Sequence, residues 1–137
     1  MITSQKQLLA AKEKVKILKE SIITEQKKNK PEVLKLATVG QIEELISEIE
    51  SEINEYELLK NNKSSEIQIF SLEDLMNAPI KYRIAKGMTI EDFARKVHIH
   101  SRQIARYELD HYHNATTDTL LKILVCLDVK ISGMVKL

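Results

Sequence analysis

The chain has 137 residues, of which 30% are charged, and a formal net charge of only +1. That length suits one domain, or a small domain with an appendage, and the near-neutral balance excludes binding to an acidic partner through bulk charge. One cysteine, Cys126, cannot support a disulfide framework, no apolar run has transmembrane length, and the lysine-rich first thirty residues lack the apolar core of a secretion signal. A cytoplasmic protein without membrane contact is expected, with Cys126 a buried small hydrophobe in an apolar helical run.

Ser4 and Gln7 have the spacing of a capping box, and Leu8, Ala11, Val15, Leu18 and Ile22 then repeat at alternating spacings of three and four. The Lys28-Asn-Lys-Pro31 run ends that helix. Residues 31–37 read as a connection, and Thr38-Val-Gly-Gln41 as a second capping box. Ile42, Ile46, Ile49, Ile53 and Tyr56 follow with the same heptad-like spacing, until the polar run from Asn61 to Ser65. Two helices of about 24 residues, each about 36 Å long, predict an antiparallel, coiled-coil-like hairpin over residues 1–62.

Charge supports the pairing. Residues 1–30 hold eight lysines against three glutamates, a net of +5, while residues 31–65 hold three lysines against eight glutamates, a net of −5. Segregation of sign by helix favours pairing of one helix with the other. Two helices bury too little surface to be stable alone, so the hairpin should dock on the rest of the chain or on a second copy. Leu45 and Leu59 widen the isoleucine stripe beyond what one partner helix covers, which predicts a homodimer through residues 1–62. Residues 63–71 are expected to be a linker.

Residues 88–108, MTIEDFARKVHIHSRQIARYE, then fit a helix-turn-helix. Two short helices crossing at a steep angle need a small residue where they meet, and Ala94 supplies it. Phe93, Val97 and Ile99 should face inward, and Ile104 and Tyr107 should bury the second helix. The turn position that favours a positive φ is His98, one of the more tolerant non-glycine types. Thr89 reads as the N-cap of the first motif helix, with Asp92 strengthening it.

With Arg83-Ile-Ala-Lys-Gly87 before the motif and an apolar helical run from Leu120 to Leu127 after it, residues 72–137 resemble the lambda-repressor-like, Xre family of helix-turn-helix domains. The resemblance implies five helices around one core over residues 72–137, which with the preceding hairpin makes an all-α chain. It implies that Arg83 and Glu108 form a structural pair that does not read DNA. It also implies that the start of the second motif helix enters the major groove of double-stranded DNA. Arg102 and Arg106, four apart and each about 200° from Ile104 at 100° per residue, lead the DNA-binding candidates. Ser101 and Gln103 join them, with Thr89 and His100 as phosphate contacts, and the small Ala105 allows close approach. From Lys81 to Tyr107 there are seven basic residues against Glu91 and Asp92, a net of +5 that makes a local patch.

His98, His100, His111 and His113 raise the question of zinc. Turn, cap and loop roles account for them, and no second cysteine or suitably spaced carboxylate completes a ligand set. No metal or cofactor is expected. No phosphate loop, nucleophile elbow or paired-acid motif is present, so no enzyme is expected. The reading is a sequence-specific regulator, a repressor, and the resemblance extends to HigA-like antitoxins that bind a toxin and repress their own operon. The alternative is an interaction module whose helix-turn-helix is only a scaffold.

Overall fold

A computed structural model describes residues 1–61 and 65–137. All of its regular structure is helical: α1 (Gln5–Gln26), α2 (Glu32–Lys60), α3 (Leu72–Ala85), α4 (Ile90–Val97), α5 (Ser101–Leu109) and α6 (Thr117–Cys126). The chain divides into two compact units, Met1–Asn62 and Lys63–Leu137. Of the polar run expected to follow α2, residues 62–64 lie outside the described residues.

In the first unit α1 and α2 pack on one another. Lys12 meets Glu57 and Lys19 meets Glu50, so position rises in one helix as it falls in the other, and the pair is antiparallel. Leu8 and Val15 from α1 are buried against Val39, Ile46 and Tyr56 from α2, and the other stripe residues are half-buried. The Ser4 hydroxyl accepts the Gln7 N–H, while the Gln7 side chain accepts from Thr3. Glu25 closes the turn: it is buried and bonded to Lys28 and Lys30, and those two ammonium groups hold its carboxyl below the usual range.

The sequence expectation misplaces the start of α2. Residues 31–37 are not a connection and Thr38 is not a cap, because the helix begins at Glu32 and Thr38 lies inside it. Pro31, at φ −54°, already has the helical φ and needs no hydrogen-bond acceptor for a missing N–H. The following Glu-Val-Leu-Lys-Leu-Ala favours helix at five of six positions. The two helices are therefore unequal, 22 and 29 residues.

In the second unit α4 and α6 pack together, with α5 crossing α4 and α3 against α6. Ile80, Phe93, Val97, Ile104 and Ile123 are completely buried, joined by Ile84, Ala94, Tyr112, Leu124 and Leu127. All four of these helices end alike. Gly87, His98, His111 and Asp128 follow α3, α4, α5 and α6 with φ of 64°, 57°, 50° and 52°. The next N–H then reaches back five residues: Met88 to Arg83, Ile99 to Ala94, Tyr112 to Tyr107 and Val129 to Leu124. Each closing residue is apolar, as this left-handed helix stop prefers.

Two expectations need correction. The second unit shows four helices among its described residues, not five. Beyond Asp128, β-branched Val129 and Ile131 and then Ser132-Gly133 give weak helix propensity, and residues 130–137 are exposed, so no packing compensates. Cys126 is half-buried, not buried, because it lies beside the buried Ile123–Leu124 edge of α6 and not on it.

Candidate nucleic-acid interface

α4, the turn and α5 present the motif. Thr89 caps α4 reciprocally: its hydroxyl accepts the Asp92 N–H at 3.1 Å, and its own N–H donates to Asp92 Oδ2 at 3.2 Å. Thr89 and Arg95 hold the Asp92 carboxyl below the ordinary range. The Thr89 backbone N–H is therefore engaged within the protein, and only the hydroxyl hydrogen is left to offer a phosphate. His98 turns the chain at φ 57° and ψ 40°, in the left-handed region. Ala94, 4% exposed, sits where α5 crosses α4.

Ile104 is completely buried and anchors α5, while Ile99 and Tyr107 are half-buried. Arg102, Ala105 and Arg106 are exposed, and Ser101 and Gln103 are half-buried. Thr89 and His100 are exposed as well, and the His100 ring caps α5 by accepting the Arg102 N–H at 3.1 Å. Glu91, Ala94, Arg95, His98, Ile99, His100 and Ser101 line an open groove at the start of α5. At the other end, the Asn114 amide donates to the Arg106 carbonyl at 3.5 Å.

Arg83 and Glu108 clasp α3 to α5. Arg83 Nε and Nη2 each donate to a Glu108 carboxylate oxygen at 2.7 Å, and Nη1 donates to the Met88 carbonyl at 3.1 Å. Both residues are buried, so this bidentate pair aims α5 instead of facing a ligand. Burial pushes the neighbouring Tyr112 hydroxyl well above its ordinary pKa, and the Glu108 charge adds to the shift.

These pairs change the charge count. Arg83 is neutralised by Glu108, just outside the 81–107 window, so a net of +5 becomes +4. Arg95, bonded to Asp92 at 2.6 Å, remains largely exposed beside the groove, and Lys96 is exposed next to it. The sequence alone places both only in the basic patch. Their adjacency in the last turn of α4 is the sequence signal for that position.

Residues 80–134 match the helix-turn-helix family model. This part of the chain is similar to that family. No curated protein and no solved structure matches the chain. Within the helix-turn-helix, α5 is the second motif helix. Among the described residues no group of three or more His, Cys, Asp or Glu side chains could hold a metal ion. Nor is any helix among them long and apolar enough to cross a membrane.

Proposed function

We propose that the chain is an Xre-type, sequence-specific transcription regulator that represses from double-stranded DNA in the cytoplasm. The carrying observation is the exposed Arg102–Arg106 edge of α5, on a helix fixed by completely buried Ile104 and the Arg83–Glu108 clasp. A guanidinium can donate in parallel to guanine O6 and N7, so Arg102 and Arg106 read bases. Ser101 and Gln103 stand beside them on the first turn, and Thr89, His100, Arg95 and Lys96 face phosphates. Selection from a random-sequence duplex library tests this. A recurring motif, bound less tightly by Arg102→Ala and Arg106→Ala, is the expected result; absence of enrichment overturns it.

A single domain of this size gains affinity by pairing, and two-fold proteins read palindromic sites. The hairpin, residues 1–62, serves as dimerisation unit in this reading, with residues 63–71 as linker. Half-buried Leu45 and Leu59 support it, because their flank of α2 is left partly open by α1. Two hairpins would form a four-helix bundle. Sedimentation of the full chain should give a dimer, converted to monomer by Leu45→Lys with Leu59→Lys; a wild-type monomer sinks the assembly.

The narrower form of the proposal is an autoregulating antitoxin whose hairpin holds a toxin. Its support is the charged helical appendage on a small DNA-binding domain. A toxin encoded beside it, neutralised on co-expression, is the expected finding. In the competing reading the hairpin captures a protein partner and the helix-turn-helix is scaffold, which predicts no enriched duplex.

A further inference from the structure

The second motif helix is capped by a titratable group. Ser4, Ser71, Thr89 and Thr116 cap α1, α3, α4 and α6 through hydroxyls, which keep their accepting lone pairs at any physiological pH. α5 instead uses His100 Nδ1, which accepts the Arg102 N–H at 3.1 Å. A ring nitrogen that accepts carries no proton, so the neutral ring holds its proton on Nε2. The cap therefore exists only while the ring is uncharged. A second proton would turn N–H against N–H and place a positive charge at the positive end of the helix dipole.

The surroundings do not offset that charge. Glu91 and Arg95 from α4 and His98 from the turn line the groove with His100, and Arg102 follows in α5. Asp92 takes up the Arg95 charge at 2.6 Å, which leaves the Glu91 carboxylate against the Arg102 guanidinium and a second imidazole, with no net negative charge.

We propose that His100 makes DNA recognition by α5 acid-sensitive: gain of a proton uncaps the helix and loosens the first turn, Ser101, Arg102 and Gln103. This inference rests on the reading of α5 as the base-contacting helix. The added charge attracts phosphates whatever the sequence, so acid exchanges specific for nonspecific binding. Imidazoles as a class change charge between about pH 5 and 8, so the measurements span that range.

The test begins with duplexes selected on the full-length protein at about pH 8, the alkaline edge of that range. Failure to enrich any sequence would remove the DNA-binding reading itself. With an enriched duplex in hand, fluorescence anisotropy compares it with a scrambled duplex down to about pH 5.5. The ratio of the two affinities should fall roughly fivefold, the usual worth of a helix cap. His100→Asn, whose amide oxygen caps without titrating, should hold the ratio flat, while His98→Asn should keep the wild-type response. Ring nitrogen NMR of the free wild-type protein gives a readout that needs neither variant, and should find the proton on Nε2 at the alkaline end. A constant ratio in the wild type, a response abolished by His98→Asn instead, or a proton on Nδ1 would each overturn the proposal.

Discussion

The two units use helices in different ways. In the hairpin, Leu8, Val15, Val39, Ile46 and Tyr56 each keep 5–9% of their surface exposed, whereas five side chains of the helix-turn-helix unit are completely enclosed. Two helices offer one contact face each and cannot surround a side chain; four helices can. The charges divide the same way. The hairpin's cross-helix pairs, Lys12–Glu57 and Lys19–Glu50, are about half exposed, while Arg83–Glu108 is buried. A periodic stripe thus suffices to pair two helices, but fixing the second motif helix takes an enclosed core and a buried clasp.

Substitutions can break that contrast. Arg83→Ala should have the largest effect, about 3–5 kcal/mol, because it leaves Glu108 buried without its charge partner. Thermal unfolding with a wild-type midpoint would show that the clasp contributes nothing. Next, Arg102→Ala or Arg106→Ala should each cost about 1–3 kcal/mol of specific DNA binding with folding intact. Gel-shift titration and circular dichroism together separate the two effects, and unchanged affinity in both variants would remove them from the interface.

Smaller changes sharpen the comparison. Thr89→Ala should cost about 1 kcal/mol of domain stability by opening the reciprocal cap of α4, measured by urea unfolding. At His98 the left-handed backbone costs a side chain about 1 kcal/mol, so His98→Gly should raise stability, less the flexibility that glycine adds to the unfolded chain. A lowered denaturation midpoint would mean that the His98 side chain makes contacts worth more than the strain. Lys19→Ala, at an exposed pair in the hairpin, should cost no more than about 1 kcal/mol, and a larger loss would contradict the division drawn here.

Acid should act on both units through different carboxylates. Glu25 in the hairpin and Asp74 and Asp92 in the second unit all have lowered pKa values, held down by Lys28 and Lys30, by the Phe70 N–H, and by Thr89 with Arg95, respectively. A lowered folded-state value means that the stabilisation is fully present above the unfolded value, about pH 4, and is lost as pH falls through the folded one. Asp92→Asn should flatten that acid limb for helix-turn-helix unfolding and leave the hairpin's limb unchanged. Fluorine labels placed in each unit would report the two limbs separately.

Much of this was legible in the residues. The motif spacing located Ala94, Phe93, Val97 and Ile104 in the core, and the alternating apolar repeats identified both hairpin helices, because helical periodicity is a local property. The positive φ at His98 was readable for the same reason: the motif demands it at one position. Boundaries were less legible. Thr38 resembled a cap, yet Pro31 had already started the helix, and local propensity over residues 32–37 outweighed the cap pattern.

Sequence by itself determined that the chain is helical, that its charge is segregated by helix at one end and clustered near the motif at the other, and where the second motif helix lies. Those features depend on neighbours within a few turns. Tertiary structure decided how completely the expected Arg83–Glu108 pair is enclosed: both residues, 25 positions apart, are buried and joined by two hydrogen bonds. It also decided that residues 130–137, left exposed, stay out of a fifth helix, and that Cys126 is only half-buried. The physical reason is common to all three: burial and hydrogen-bond geometry belong to groups brought together in space, and no local pattern of residue types records them.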